Sequence, residues 1–149
     1  MLEGTVKQHI ILPVHPQLSK DTLPVVQTEH CHIRLMNDSR WPWIILIPLN
    51  DEISELHQLP ATLQHAFMDQ VNQVAAHLQD LTECRSINVA MLGNVVSQLH
   101  CHVIARDESD PNWPGPVWGF GESVPYSVNP DWFDSLKSTL SRDLGARVR

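Results

Sequence analysis

Residues 93–106 read GNVVSQLHCHVIAR, and in the middle of this segment polar side chains alternate with apolar ones. Alternation with a period of two is typical of a β-strand, in which every second side chain points to the same face. Gln98, His100 and His102 should therefore share one face. The opposite face is small and mostly apolar, which suits packing beneath a helix; it carries Ser97, Leu99, Cys101, Val103 and Ala105. Two imidazoles on one face add little to a core, and each can be neutral near pH 7 and free to attack or bind.

Length and composition indicate one globular domain over residues 1–149. The chain is 42% hydrophobic and 18% charged, which fits a protein with a real core. A net charge of −7 with ten Lys plus Arg argues against binding nucleic acid through a basic surface. The longest apolar run, residues 41–49, is interrupted by proline and is too short to cross a membrane. The start of the chain lacks the pattern of a signal peptide, and three cysteines suit a reducing compartment, so we expect a cytoplasmic protein.

The hydrophobic pattern elsewhere predicts strands on both sides of a long helix. Apolar residues at spacings of three and four, from Leu63 to Leu81, indicate a helix over residues 61–81. Gly93-Asn94 predicts a tight turn that leads into the histidine strand. Short strands are predicted over residues 8–12, 24–29, 30–36, 41–48 and 86–92, with a turn over 18–22 and a helical turn over 51–59.

The region after Arg106 is a Trp- and Pro-rich loop followed by a last helix. Asn129-Pro130-Asp131 supplies a cap, a first-turn proline and an acidic residue, and Gly145 ends the helix. Trp113 and Trp118 either pack on a bound base, pack across a dimer or belong to the core. The core then covers about residues 29–106, and the loop and final helix cover residues 107–149.

Residues 98–104, QLHCHVI, resemble the histidine triad motif, in which three histidines alternate with apolar residues and two apolar residues follow. Asn88 and Gly93 lie upstream, where the family usually carries an Asn and a glycine-rich turn. The order of two strands, a long helix, a strand and the motif strand also agrees. Gln98 stands at the first triad position instead of His. Together with residues 110–119, DPNWPGPVWG, this resembles a bacterial branch of histidine triad (HIT) hydrolases that carry Gln there.

This resemblance implies an α+β fold with a five-stranded antiparallel sheet, one long helix packed on it, a C-terminal helix, and a homodimer. It also implies hydrolysis or transfer at the α-phosphate of a nucleotide conjugate, such as a diadenosine polyphosphate or a nucleoside phosphoramidate. His100 would attack phosphorus and form a nucleotidyl-imidazole that water then opens. The implied partners are a small-molecule nucleotide and a second copy of the chain, without nucleic acid or membrane.

The chemistry of the three motif residues supports this reading independently. A neutral imidazole is a competent nucleophile for phosphorus when its other nitrogen holds the proton, usually against a backbone carbonyl. His102 could donate to a non-bridging phosphate oxygen or help to protonate the leaving group. The amide of Gln98 is neither acid nor base near pH 7, but it can donate a hydrogen bond. We therefore expect the Gln to alter the handling of the leaving group more than the attack.

The remaining candidates would bind the nucleotide. By resemblance, Asn37 lies where the family holds the ribose hydroxyls, and the adjacent Asp38 is an equal candidate, although a turn explains both. Asn88 either contacts phosphate or braces the site, and Arg106 forms an ion pair or contacts phosphate. Backbone N–H groups of the turn could bind an anion. The nucleotide-binding candidates are Asn37, Asp38, Asn88, Gly93, Asn94, Val95 and Val96.

Two alternatives use the same residues differently. Loss of the first histidine could leave a non-catalytic module that only binds nucleotides. His30, His32, His100, His102 and the cysteines between them could instead form a zinc site, although alternation points each Cys away from its flanking His. We expect neither a metal site nor a required cofactor, apart from Mg²⁺ carried as the counter-ion of a polyphosphate substrate.

Overall fold

Six antiparallel strands form one sheet in the part of the chain that the computed structural model describes, residues 13–50, 52–145 and 147–148. Their order across the sheet is β4-β5-β3-β2-β1-β6. The strands are β1 (Thr22–Gln27), β2 (Cys31–Met36), β3 (Trp43–Pro48), β4 (Ser86–Ala90), β5 (Cys101–Arg106) and β6 (Arg147–Val148). The predicted five-stranded antiparallel sheet is confirmed, and the two-residue β6 extends one edge. The strand predicted over residues 8–12 lies outside the described residues.

Three α-helices accompany the sheet among the described residues: α1 (Pro16–Asp21), α2 (Ala61–Thr82) and α3 (Phe133–Asp143). The long helix is confirmed, but the turn predicted over residues 18–22 is wrong because most of that stretch is α1. Helix α3 begins at Phe133, later than the predicted cap, because Pro130 belongs to a preceding turn in which its carbonyl accepts from the Phe133 N–H. Within the predicted helical turn, Leu56–Gln58 form a 3₁₀ turn. None of the described helices is long and apolar enough to cross a membrane.

One face of the sheet packs against α2 and α3. Phe67, Val71, Val74 and Leu78 of α2 are buried there, as the spacing predicts. Strand β5 contributes Cys101, Val103 and Ala105 to the same cluster. The small apolar face of the histidine strand therefore lies beneath the helix layer, and its other face is turned to the opposite side of the sheet.

The opposite face carries a second apolar cluster, which includes Trp43 and Ile45 of β3 and Ile104 of β5. Leu18 of α1 and Val117 of the long C-terminal loop cover it. The histidines thus lie on a sheet face that is roofed by α1 and by loops, which leaves room for clefts between them.

The predicted tight hairpin at Gly93-Asn94 is wrong. Strand β4 ends at Ala90, whose partner is His102, and β5 begins only at Cys101, so residues 91–100 form a long loop. This loop is held away from β4 because the Leu99 N–H donates to the Ile53 carbonyl at 2.9 Å. Gln98 and His100 consequently precede the strand.

Candidate active site

His100 is held in one tautomer by the backbone of its own loop. Its Nδ1 lies 2.7 Å from the Gln98 carbonyl oxygen, and the residue is only 5% exposed. A carbonyl oxygen can only accept, so Nδ1 must carry the hydrogen. The lone pair of Nε2 is then available for attack, as the proposed nucleophile requires.

His102 is held in the opposite tautomer by a tryptophan. The Trp43 Nε1–H donates to His102 Nδ1 at 2.9 Å. An indole N–H can only donate, so Nδ1 is unprotonated and the hydrogen of the neutral ring sits on Nε2. Burial, together with the neighbouring His100, lowers the pKa of His102 to about 3. His102 is therefore neutral at pH 7 and offers one N–H.

Aromatic rings surround the two imidazoles. The centroids of His100 and His102 are 4.9 Å apart with their planes at 73°. Trp118 packs edge-on against His102 at 5.2 Å and against Trp43 at 5.9 Å. These contacts restrict the rotation of His102 and place Trp118 at the site.

The Gln98 side chain binds the segment that precedes α1. Its Oε1 accepts from the His15 N–H at 2.7 Å, and its Nε2 donates to the Pro13 carbonyl at 3.2 Å. The His15 ring turns to the start of α1, where Nδ1 accepts from the Gln17 N–H. Both ends of the Gln98 amide thus have partners within the protein, and donation to a phosphate remains a prediction.

A cleft of about 390 Å³ lies beside the histidines and shares Trp43 and Trp118 with them. Phe120 adds a third aromatic side chain, and Lys20, Asp21 and Arg40 add charge. The rest of the lining comes from Met36, Asn37, Asp38, Val117, Gly119, Gly121, Ser123 and Pro125. Aromatic walls with a few polar groups are typical of small-molecule sites.

Asn37 and Asp38 line this cleft and also anchor its roof. Asn37 Oδ1 accepts from the Tyr126 N–H at 2.9 Å, and Asp38 Oδ1 accepts from the Val124 N–H at 3.2 Å. Burial alone would raise the pKa of Asp38, but hydrogen bonds from Arg40 and Val124 hold it below the ordinary value. The two residues therefore have structural partners, and a ribose contact remains a prediction for either.

Asn88 and Asp110, which are half-buried, form a polar cluster with the buried Arg106. Arg106 is 2% exposed; it donates to Asn88 Oδ1 at 2.9 Å and forms an ion pair with Asp110 at 2.8 Å. Burial acts to raise the pKa of Asp110, but the Arg106 guanidinium and backbone N–H groups lower it to about 2. The structure thus shows the ion-pair role for Arg106 and gives Asn88 a bracing contact.

The loop residues are placed unequally. Gly93, Asn94 and Val95 are exposed, with Val95 92% exposed, whereas Val96 is buried in the cluster under the loop. Binding of an anion by the backbone here remains a prediction. Trp113 lies elsewhere, with the Arg85 guanidinium 5.8 Å from its ring centroid.

The geometry does not assemble the alternative zinc site. Strand β3 lies between β2, which carries His32, and β5, which carries His102. Cys31 and Cys101 are buried on the helix side, where burial raises the pKa of each thiol to about 12. Within residues 13–50, 52–145 and 147–148, no group of three His, Cys, Asp or Glu side chains could hold a metal ion.

Trp43 is a site residue that sequence reasoning missed, as are Lys20, Arg40 and Phe120 of the cleft. Ile45 is paired with His102 across β3 and β5, so Trp43, two residues along β3, lies on the same face and reaches the ring diagonally. The sequence carries this signal only if β3 and β5 are known to be neighbours.

Residues 17–109 match the model of the HIT domain. The chain belongs to the histidine triad (HIT) family. Its fold resembles that of a HIT protein from Sinorhizobium meliloti 1021, with 41% sequence identity, 89% of this chain and 97% of that chain covered, and a TM-score of 0.80. A HIT protein from Marinobacter aquaeolei VT8 is 37% identical, with 91% of this chain and 97% of that chain covered and a TM-score of 0.79.

A more distant HIT-fold structure is the Plasmodium falciparum diadenosine triphosphate hydrolase in complex with cyclomarin A. It is 14% identical, with 84% of this chain and 79% of that chain covered and a TM-score of 0.58, which shows a shared fold alone. A search of curated proteins found no significant match. The α+β fold and the family predicted from the motif are confirmed.

Proposed function

We propose that this protein hydrolyses a nucleotide conjugate at its α-phosphate through a covalent intermediate on His100. The observation that carries the proposal is the 2.7 Å hydrogen bond from His100 Nδ1 to the Gln98 carbonyl. It leaves Nε2 as a neutral nucleophile whose tautomer is fixed before substrate binds. A covalent intermediate divides one difficult displacement into two easier ones.

In the first step, the Nε2 lone pair of His100 forms a bond to phosphorus, and the bond from phosphorus to the leaving group breaks with its electron pair. The ring then carries a positive charge that the Gln98 carbonyl stabilises through Nδ1–H. In the second step, water attacks phosphorus, the P–N bond breaks and a proton is released to solution. The products are a nucleoside monophosphate, the leaving group and neutral His100.

His102 stabilises charge on the phosphate during both steps. Its Nε2–H donates to a non-bridging oxygen, where charge develops in the transition state. Because the ring is neutral and boxed by Trp43 and Trp118, this donor is oriented before the reaction begins. Backbone N–H groups of Gly93, Asn94, Val95 and Val96 bind the same phosphate from the loop.

The nucleoside occupies the aromatic cleft. Trp43, Trp118 and Phe120 provide surfaces for the base. The turn with Asn37 and Asp38 lines the same cleft, and one of these two side chains binds the ribose hydroxyls. Asn88 braces the strand through Arg106. The Plasmodium protein of the same fold is a diadenosine triphosphate hydrolase, which supports dinucleoside polyphosphates as substrates to test here.

The reaction needs no resident metal, and Mg²⁺ accompanies a polyphosphate only as its counter-ion. We place the protein in the cytoplasm, and the free thiols of Cys31, Cys84 and Cys101 support this location. We also propose a homodimer of the 16.9 kDa chain, which sedimentation would detect as a doubled mass. A phosphoramidate has no polyphosphate chain that binds Mg²⁺. Cleavage of a phosphoramidate in the presence of EDTA would therefore support a metal-free reaction.

The test is release of AMP from diadenosine triphosphate and from adenosine phosphoramidate. His100→Ala should abolish release, whereas His65→Ala, on an exposed position of α2, should behave as wild type. Rapid quenching should trap a nucleotidyl adduct on wild-type protein only. If wild type and His100→Ala release AMP at the same background rate, the catalytic proposal fails. Tight binding of AMP by calorimetry without turnover would then identify a nucleotide-binding module.

A further inference from the structure

The three side chains of the motif differ in their ability to supply a proton to a leaving group. His100 is the nucleophile in the proposed function. Gln98 is an amide, and His102 is a neutral donor whose Nδ1 already accepts from the Trp43 indole. These residues therefore limit which leaving groups can depart, because a leaving group that needs a proton does not receive one from them.

Resting on the proposed function, we infer that the site acts on anhydrides of a nucleoside monophosphate and discriminates against phosphoramidates. In an anhydride the scissile bond joins phosphorus to the oxygen of a phosphate or a carboxylate. When that bond breaks, the oxygen keeps the electron pair and departs as a stable anion, so no proton has to be transferred. In a phosphoramidate the leaving atom is an amine nitrogen, which must gain a proton before or during cleavage.

The Gln98 side chain is held in place by the protein and cannot act as an acid. Its amide is pinned at both ends, by the His15 N–H at 2.7 Å and by the Pro13 carbonyl at 3.2 Å. An amide has no proton to release near pH 7. This side chain therefore supplies no proton to a leaving group.

His102 is a hydrogen-bond donor and not an acid. An imidazole becomes an acid only as imidazolium, which requires a hydrogen on Nδ1 as well. The Trp43 N–H occupies the lone pair that this hydrogen would need, in a site where His102 is 5% exposed. Burial and the proximity of His100 likewise lower the pKa of His102 to about 3. Its Nε2–H can stabilise an oxygen anion but cannot be transferred at neutral pH.

His15 is the protonatable side chain that Gln98 brings to this region through the backbone. Its ring is exposed and directed to helix α1, where Nδ1 accepts from the Gln17 N–H at 3.1 Å. The ring is therefore committed to capping the helix. A variant at this position tests directly whether it supplies protons instead.

The experiment compares three conjugates that share the adenylyl group and differ in the leaving group: diadenosine triphosphate releases ADP, acetyl adenylate releases acetate, and adenosine phosphoramidate releases ammonia. General acid catalysis contributes about 10²–10⁴-fold. We expect kcat/KM for the two anhydrides to exceed that for the phosphoramidate by about 10²-fold or more. His100→Ala supplies the background for each substrate.

A second measurement uses wild-type protein and a series of AMP anilides with ring substituents of graded electron withdrawal. Without an enzymatic acid, kcat/KM should rise steeply as the amine becomes a better leaving group. A shallow dependence would show that a group on the protein transfers a proton and would overturn the inference. The same holds if His15→Asn selectively removes phosphoramidate turnover.

Gln98→His completes the comparison by returning an imidazole to the first position. We expect it to raise the ratio of phosphoramidate to anhydride turnover by about tenfold or more. An unchanged ratio in a folded variant, or a phosphoramidate cleaved as fast as the anhydrides by wild type, refutes the inference while the proposed function stands. If no conjugate is cleaved above the His100→Ala background, the proposed function itself fails, and the inference fails with it.

Discussion

Trp43→Phe isolates the hydrogen bond that selects the tautomer of His102. The substitution keeps an aromatic ring in the cleft but removes the Nε1–H that lies 2.9 Å from His102 Nδ1. His102 is 5% exposed, so water does not readily replace the lost donor. An unsatisfied buried acceptor costs about 1–3 kcal/mol, and we expect the free energy of unfolding to fall by about 2 kcal/mol.

The same substitution should reduce activity through the distribution of tautomers. A net hydrogen bond of about 1 kcal/mol corresponds to a factor of about five in the ratio of the two tautomers. Molecules with the hydrogen on Nδ1 present a lone pair, and not an N–H, to the phosphate. We expect kcat/KM to fall by up to about fivefold, through kcat more than through KM.

Trp118→Phe is the matched control for this prediction. Trp118 also lines the cleft and also packs edge-on against His102, but it contributes no hydrogen bond to that ring. Long-range ¹H–¹⁵N NMR of the imidazoles reports which nitrogen of His102 is protonated. Trp43→Phe should lose the pure Nε2–H signature, and Trp118→Phe should keep it. If both variants keep this signature and lose the same activity, the role assigned to the Trp43 hydrogen bond is wrong.

Three further predictions concern stability. The pKa of His102 is lowered from 6.5 to about 3 by folding, so the unfolded chain binds more protons between these values and stability falls as the pH drops through them. Between pH 6.5 and about 4.5, the free energy of unfolding of wild type should therefore fall more steeply than that of His102→Asn, by about 1 kcal/mol per pH unit. Urea titrations measure both, and parallel curves would contradict this prediction. Asp110→Ala leaves the buried Arg106 charge uncompensated and should cost about 3–5 kcal/mol in urea denaturation, whereas an unchanged midpoint would refute the ion-pair assignment. Asp38→Ala removes the acceptor of the Val124 N–H, so hydrogen exchange at Val124 should accelerate by about tenfold or more, and unaltered protection would show that other contacts hold the loop.

Most of the strands and the long helix were predictable because they depend on local periodicity, whereas the five-stranded sheet and the family followed from the resemblance of residues 98–104 to the histidine triad motif. The repeat from Phe67 to Leu81 specifies one apolar stripe, although Leu63 at its predicted start is exposed. The alternation around His100 assigns Cys101 to the helix side of the sheet. Such patterns need no knowledge of distant contacts. The long helix matched within one residue at its C-terminal end, since it runs to Thr82.

The parts that could not be predicted depend on contacts between distant residues. The loop before β5 replaces a tight turn because Leu99 pairs with the Ile53 backbone, which no local signal indicates. Asn is a common residue in turns, yet the Asn37 side chain also accepts a hydrogen bond from the N–H of Tyr126, which is distant in the sequence. The partner of His102 could not be identified without the pairing of β3 and β5.

The two hydrogen bonds that set the imidazole tautomers differ in their vulnerability to mutation. The acceptor for His100 is the backbone oxygen of residue 98, which every amino acid possesses, so no substitution there deletes the acceptor itself. The donor for His102 is an indole, which a single codon change can eliminate. The backbone acceptor of His100 therefore survives any substitution at residue 98, whereas the orientation of the His102 proton depends on a tryptophan at residue 43.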